Sequence, residues 1–133
     1  MFTLDQIQQP HSKVKTGADF PAYVQALIQL GVTGYDMFVH DRHAEYFGKN
    51  RFSVTEDAKY PTFDIATKTN NERLGNIIRM HQMGKTNYMT FCEQLAGAGI
   101  EKWSLNVKKM TCTYFDAQGV EILVEKVPVP SEQ

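Results

Sequence analysis

The sequence predicts an α+β domain in which helices pack on one face of an antiparallel sheet. Segments with helical spacing are followed by segments with a period of two, and this order of elements occurs twice. Residues 20–47 align with residues 88–115 at a constant offset of 68, without a gap. Further upstream, matched positions such as Leu4 and Leu74 are 70 residues apart. We therefore expect an internal duplication of an α-α-β-β-β unit, with the two copies related by a pseudo-two-fold axis.

The 133 residues are expected to form a single domain. Its parts are repeat one at about 3–56, a linker at 57–69, repeat two at about 70–127 and a tail at 128–133. Hydrophobic residues make up 42% of the chain and charged residues 22%, which is typical of a soluble globular protein.

Each repeat is predicted to begin with two helices, because apolar residues recur there at intervals of three and four. The four segments run over about 3–15, 19–30, 70–83 and 87–98. Pro10 lies inside the first segment and is expected to kink or delay that helix, since proline has no backbone N–H to donate.

Side chains with capping chemistry stand at the predicted helix ends. Thr69 and Glu72 have the spacing of a capping box. Asp19 and Asn87 are natural N-caps for the second helix of each repeat. The glycines suited to a left-handed position after a helix are Gly31, Gly84 and Gly99.

The run Gly84-Lys85-Thr86 resembles the end of a phosphate-binding loop, but its surroundings exclude that function. The full signature requires a glycine at position 79, where the chain has Arg79. The preceding segment also has helical spacing, whereas such a loop follows a buried strand. A Lys-Thr pair recurs at Lys15-Thr16. We interpret both pairs as elbows between two helices.

Three strands are predicted in each repeat from apolar residues that alternate with polar ones. The corresponding segments are VTGYDMFVH and KWSLNVK, HAEYF and TCTYF, and RFSVT and VEILVEKV. Tyr35 and Trp103 occupy equivalent inward positions and are expected in the core. Asp41-Arg42 and Lys108-Lys109 are expected to form two-residue turns.

The charge balance and hydropathy argue against several classes of protein. Lys and Arg number 14 against 15 Asp and Glu, without a basic block, so nucleic-acid binding is not expected. No apolar run approaches the ~20 residues that span a bilayer, and the first residues lack the pattern of a signal peptide. We expect a cytoplasmic protein without membrane contact, in which Cys92 and Cys112 are small buried hydrophobes.

His40, His43 and Glu45 are the candidate metal ligands. If Asp41-Arg42 forms a two-residue turn, the two histidines oppose each other across the hairpin, roughly 5 Å apart at their Cβ atoms. Two imidazoles and a carboxylate can bind zinc and leave one coordination position open to water. The alternative is a solvated polar hairpin tip, because the second repeat lacks these residue types at the matching positions.

His11 and His81 are equivalent positions near the C-terminal ends of two helices. Each is expected to form a hydrogen bond with a backbone carbonyl group and so tie its helix corner together. The alternative is a shared ligand or a proton-transfer pair, if the pseudo-axis brings the two imidazoles near each other. Lys85 and Tyr88 complete this candidate polar site at the helix corners.

Phe38, Phe47 and Phe115 alternate onto the sheet face opposite the helices. A sheet face with several phenylalanines is expected to bind a partner. Homodimerisation, contact with another protein and binding of a small apolar ligand are the three alternatives.

The sequence contains no Ser-His-Asp order, glycine-rich nucleotide turn, Cys-x-x-Cys pair or His-Glu-x-x-His run. No catalytic residue and no cofactor are therefore predicted. The leading hypothesis is a non-enzymatic binding or interaction module. The alternatives are a small metal-assisted or histidine-dependent enzyme and a phage structural or assembly protein.

The runs HSKVKTGADFPAYVQALIQLGV, HQMGKTNYMTFCEQLAGAGIEKW and MTCTYFDAQGVEILVEKVPVP resemble the YdfO/YbcV-like family. Its members are small bacterial and prophage-encoded proteins of unknown function, some of which are labelled phage envelope protein. The resemblance covers nearly the whole chain and implies a compact α+β domain. It brings no reaction, cofactor or catalytic residue. The chain departs from the family at Pro10 and at Asn87, where the family more often has Asp.

Overall fold

The computed structural model describes residues 1–15 and 17–128, so residues 129–133 of the predicted tail lie outside the described residues. The elements of the first half are α1 (Leu4–His11), α2 (Phe20–Leu30), β1 (Gly34–Phe38), β2 (Ala44–Phe47) and β3 (Ser53–Glu56). The elements of the second half are α3 (Asn71–Gln82), α4 (Tyr88–Gly97), β4 (Ile100–Asn106), β5 (Thr111–Asp116) and β6 (Glu121–Lys126). A short 3-10 helix, Gly17–Asp19, leads into α2.

The strands form one antiparallel sheet in the order β3-β2-β1-β4-β5-β6. β1 and β4 meet at its centre, where Asp36 lies opposite Ser104. The Ser104 hydroxyl group donates a hydrogen bond of 2.5 Å to the Asp36 carboxylate. Asp36 and Ser104 are 68 positions apart, so each is the equivalent of the other in the sequence alignment of the two halves. Exchanging the equivalent residues of the two halves therefore leaves the register between β1 and β4 unchanged. The predicted α+β class with an antiparallel sheet is confirmed.

The core lies between the helices and one face of the sheet. The sheet contributes the buried side chains of Tyr35, Met37, Tyr46, Trp103, Leu105, Cys112 and Tyr114. The helices contribute those of Ile7, Tyr23, Val24, Leu27, Leu74, Ile77, Ile78, Phe91, Cys92 and Leu95. The predicted core positions of Tyr35 and Trp103 are confirmed, and the indole N–H of Trp103 donates to the Tyr35 hydroxyl at 3.3 Å.

Several predicted helix ends are confirmed. The Asn87 side chain caps α4 by accepting a hydrogen bond of 2.8 Å from a backbone N–H three residues later. Gly31 and Gly84 have the left-handed backbone that ends a helix, with φ of 95° and 78°. The backbone N–H of Lys85 donates to the carbonyl oxygen of Met80 at 3.0 Å. Gly84-Lys85-Thr86 is therefore the end of a helix, as the spacing predicted.

One predicted N-cap is wrong, and another is at the predicted residue without the expected capping bond. Asn70, not Thr69, caps α3, because its side chain accepts a hydrogen bond of 3.0 Å from the backbone N–H of Arg73. Asp19 is the N-cap residue of α2, but its side chain makes no capping bond to that helix. Its carboxylate accepts a bond of 2.9 Å from the backbone N–H of Lys15 instead, across the joint between the helices.

α1 is shorter than predicted and ends at His11 rather than near residue 15. Pro10 lies in its last turn and lacks the N–H that would bond to the carbonyl group four residues earlier. After it, the backbone N–H of Ser12 still bonds to the carbonyl oxygen of Gln8, whereas those of Lys13 and Val14 bond to carbonyl groups only three residues earlier. The helix therefore ends one residue after the proline and does not continue as a longer, kinked helix.

The predicted two-residue turns are also wrong. Phe38 pairs with His43, so residues 39–42 form a four-residue loop. The second hairpin has the same length, with residues 107–110 in its loop. The residues with a left-handed backbone at the end of each loop are Arg42 (φ 53°) and Met110 (φ 52°).

Arg42 is buried, with 1% of its surface exposed, and it fastens the linker 57–69 to the first hairpin. Its guanidinium group donates hydrogen bonds to the carbonyl oxygens of Lys59 and Pro61. It also lies 4.8 Å from the centre of the Phe63 ring. Carbonyl dipoles and an aromatic face therefore compensate this buried cation.

The close approach of β1 and β4 can be tested at Gly34. A Cβ atom there would lie 2.5 Å from the carbonyl oxygen of Leu105. We expect Gly34→Ala to lower the free energy of unfolding by about 1–3 kcal/mol, because the central strands would have to move apart. Gly75→Ala is the control: its Cβ would meet nothing within 4 Å, and it should stabilise α3 by up to about 1 kcal/mol. Urea denaturation followed by circular dichroism measures both, and an unchanged stability of Gly34→Ala would contradict the central pairing.

Candidate functional site

A cleft of about 650 Å³ opens between the helix corners and the helix-facing side of the sheet. The sheet lines it with Tyr35, Met37, Trp103, Cys112, Tyr114 and Glu125. The corner of the first half contributes His11, Val14, Phe20, Pro21 and Tyr23, and that of the second half Ile78, His81, Gln82, Tyr88 and Phe91. One cavity is therefore built from both halves, over the strands that join them.

Three of the four residues predicted for the helix corners line this cleft. His11, His81 and Tyr88 are among its lining residues. Lys85 is exposed and does not belong to the lining that the described residues form. Both histidines therefore line the same cavity.

His81 ties the second helix corner together. Its Nδ1 atom lies 3.1 Å from both the carbonyl oxygen and the hydroxyl oxygen of Thr86. Its ring stacks on that of Phe91, with 4.0 Å between the ring centres and 6° between the planes. The predicted hydrogen bond to a backbone carbonyl group is confirmed for this histidine. An Nδ1–H that donates to Thr86 leaves Nε2 as a hydrogen-bond acceptor.

His11 joins the two halves through its ring. It meets Tyr23 and Tyr88 edge-on, with ring centres 5.3 Å and 5.4 Å away. Tyr88 belongs to the second half, so the contact crosses between the corners. By the offset of 70, the residue that corresponds to Thr86 is Thr16, which lies outside the described residues.

Gly17 allows the backbone of the first corner to lie against His81 of the second corner. A Cβ atom at this position would lie 2.7 Å from a ring carbon of His81 and 2.8 Å from its carbonyl oxygen. The backbone of the first corner therefore rests directly on His81. A side chain at Gly17 would push the two corners apart and change the shape of the cleft.

Burial lowers the pKa of both cleft histidines. Loss of hydration is the main cause for His11, where the negative charge of Glu56 acts in the opposite direction. Loss of hydration also dominates for His81, and its bond to Thr86 partly opposes the shift. Because the ordinary histidine pKa is about 6.5, both imidazoles are neutral at pH 7.

Glu125 is a cleft residue that the sequence did not reveal. It pairs with Cys112 across β5 and β6, and directly paired residues point to the same face of a sheet. Burial raises the pKa of Glu125, and a hydrogen bond from the side chain of Gln82 partly opposes this shift. Among residues 1–15 and 17–128, no cation forms an ion pair with this carboxyl group.

The other ionisable groups of the cleft floor remain uncharged. Burial raises the pKa of the Cys112 thiol to about 12. It also raises the pKa values of Tyr35 and Tyr114 well above the usual phenol value. The Tyr88 hydroxyl group lies 3.4 Å from the sulfur of Met37, a weak acceptor. The floor is therefore aromatic and neutral.

The cleft is displaced towards the second half of the sheet. Cys112 and Tyr114 line it, whereas the residues 68 positions earlier, Ala44 and Tyr46, are buried and do not join the lining seen in the described chain. On the first-half side, α1 contacts β3. On the second-half side, Glu125 of β6 is a lining residue of the cleft.

The candidate metal ligands do not have the predicted arrangement. His43 lies opposite Phe38 and stacks on its ring, with 4.2 Å between the ring centres. Its Nδ1 atom is 2.5 Å from the carboxylate of Asp41. The predicted opposition of His40 and His43 is wrong, because it depended on a two-residue turn.

His40 belongs to the loop, where its Nδ1 atom lies 2.7 Å from the carbonyl oxygen of Phe63. Glu45 pairs with Asp36 in the neighbouring strand. Within the part of the chain that the structure describes, no group of three or more His, Cys, Asp or Glu side chains is placed to hold a metal ion.

The three phenylalanines of the outer face are not one patch. Phe38 and Phe115 flank Lys102, whose ammonium group lies 5.6 Å and 5.0 Å from their ring centres. Phe47 pairs with Gly34, at the other end of β1 from Phe38. All three phenylalanines are half-buried. The outer face thus carries a cation between two rings instead of a continuous apolar surface.

The buried histidines predict a loss of stability on acidification. The unfolded chain binds protons at their ordinary pKa, and the folded chain only at lower pH, so stability is complete above about pH 6.5 and falls below it. The loss is at most about 1.4 kcal/mol per histidine and pH unit. Urea denaturation at pH 7.5 and 5.5 should show a smaller loss for His11→Phe and His81→Phe than for the wild type. An identical loss in all three proteins would contradict the assigned burial.

A comparison with curated proteins found no match. No helix in the described part of the chain is both long enough and apolar enough to cross a membrane. A protein-family model matches residues 8–126, which is most of the chain. The resemblance to YdfO/YbcV-like proteins in particular stays a prediction. The chain belongs to the family described as protein of unknown function (DUF1398).

Proposed function

We propose that the protein is a binding module that holds a small, largely apolar ligand in its central cleft. The observation that supports this function is the cleft itself, about 650 Å³ in volume and lined by aromatic rings from both halves. Pockets for small molecules and cofactors have volumes of roughly 300–1,000 Å³, mainly apolar walls and a few placed polar groups. The cleft meets all three criteria.

The arrangement of the lining favours binding over a purely structural role. Trp103, Tyr114 and Phe91 are each 6% exposed or less, so their positions are fixed by the packing around them. The cavity nevertheless remains open beside them, although a core of this size normally packs without large voids. An apolar ligand would bury the exposed ring edges and release water from them.

A neutral dye tests this function. N-phenyl-1-naphthylamine fluoresces strongly in apolar surroundings, and we expect saturable binding with a stoichiometry of one. Val14→Phe adds bulk to the cleft wall and should weaken binding by about fivefold or more, since a filled cavity loses contact area with its ligand. Met83→Phe is the matched control, because Met83 is 61% exposed and does not line the cleft in the described structure.

Two outcomes would contradict the binding of an apolar ligand in the central cleft. If Phe115→Ala abolishes dye binding while Val14→Phe leaves it unchanged, the ligand binds on the outer sheet face. If no saturable binding occurs in the wild type, the central cleft is not a site for apolar ligands. Circular dichroism of each variant ensures that only folded proteins are compared.

The second candidate function is a histidine-dependent enzyme. It is favoured by the presence of His11, His81 and Glu125 in one cleft, since neutral imidazoles and a carboxyl group can exchange protons with a bound substrate. The tight bond of His81 to Thr86 and the ring contacts of His11 give both imidazoles a structural role as well. Binding requires none of them to react, so it is the simpler function for this lining.

We also infer that the chain arose by internal duplication. The equal order of elements in both halves supports this. The register between β1 and β4 supports it as well, because it is unchanged when residues are exchanged by the offset of 68. The matching four-residue loops and the equivalent rings of Tyr23 and Phe91 beside the two histidines support it further. Duplication would explain why the cleft lies where the halves meet. Homodimerisation, a phage-related role and a cytoplasmic location stay predictions from the sequence.

A further inference from the structure

The cleft contains a carboxyl group that forms no ion pair with any of the described residues. Glu125 lies on the inner face of β6, opposite Cys112, and lines the cleft. The neutral side chain of Gln82, another lining residue, interacts with this carboxyl group. The next residue, Lys126, also lines the cleft but is exposed, and among the described residues it forms no ion pair with Glu125. A half-buried carboxylate is stabilised by a positive partner, and no ion pair within the described residues supplies one here.

Lys126 is the one Lys or Arg in the lining that the described residues form, and its side chain is exposed. The remaining lining does not favour an anion. The cleft histidines and the thiol of Cys112 are uncharged at neutral pH, because burial lowers the histidine pKa values and raises that of the thiol. The rings of Trp103, Tyr114 and Tyr35 line the floor of the cleft. Aromatic faces carry partial negative charge and attract cations, and tryptophan does so most strongly.

We propose that the ligand of the central cleft is an organic cation, with an apolar body among the aromatic rings and an ammonium group beside Glu125. This inference rests on the proposed function and specifies the class of ligand. The carboxylate would supply the opposite charge, and the rings of Trp103 and Tyr114 would surround the apolar groups on the nitrogen. The hydrogen bond from Gln82 would hold the carboxylate in place.

Three probes of similar size isolate the effect of charge on binding. Phenyltrimethylammonium is the cation, tert-butylbenzene its neutral isostere and benzenesulfonate an anion of similar volume. The sequence has a single tryptophan, Trp103, which lines the cleft, so quenching of its fluorescence reports binding directly. We expect the cation to bind about tenfold more tightly than the neutral isostere, in keeping with an ion pair and cation–π contacts, and the anion most weakly.

Glu125→Gln should abolish the preference, so that phenyltrimethylammonium binds about as tightly as tert-butylbenzene. The affinity for tert-butylbenzene itself should be unchanged. Glu121→Gln removes the same charge from an exposed position of β6 and should keep the full preference. Glu125→Asp retains the carboxylate and should restore most of the preference, which keeps the test decisive if Glu125→Gln folds poorly.

Equal affinities for the three probes in the wild type, or a full preference in folded Glu125→Gln, would overturn the inference. Such a result would leave the proposed function intact if N-phenyl-1-naphthylamine still binds in the cleft. Absence of binding by that dye and by every probe would overturn both. The two failures are therefore distinguishable.

Discussion

The antiparallel pairing of β1 with β4 is the constraint on which the rest of the structure depends. Asp36 and Ser104 stand opposite each other at its centre, and Gly34 permits the strands to approach so closely that no side chain would fit beside Leu105. This pairing joins two halves with the same order of elements, and residues from both helix corners line one cleft on the inner face of the sheet. The elbow after α3 and the elbow after α1 therefore meet above the central strands.

The cleft follows from the way in which these corners meet. Backbone contact at Gly17 and ring contact at Tyr88 hold them together at their edges, and the space beneath them remains open. The two sides differ because α1 covers the strand at one end of the sheet, whereas the opposite end leaves Glu125 accessible from the cavity. Two halves with the same order of elements thus enclose a site to which the second half of the sheet contributes more residues, with aromatic walls and one carboxyl group.

Local patterns in the sequence predicted the class of fold, the order of elements and several boundaries, because these depend on neighbouring residues. The side chain of Asn87 and the left-handed Gly84 are examples. Properties that depend on strand register were not predicted correctly. A turn of four residues instead of two moved His43 opposite Phe38 and removed the metal geometry. Glu125 was missed for the same reason, since its face is set by pairing with Cys112.

The most direct test of the account is the location of a bound ligand, measured by intermolecular nuclear Overhauser effects from the methyl protons of phenyltrimethylammonium. The account predicts contacts with Tyr23 of the first half and with Trp103 and Tyr114 of the second half, in the same complex. Contacts confined to Phe38 and Phe115 on the outer face of the sheet would contradict it.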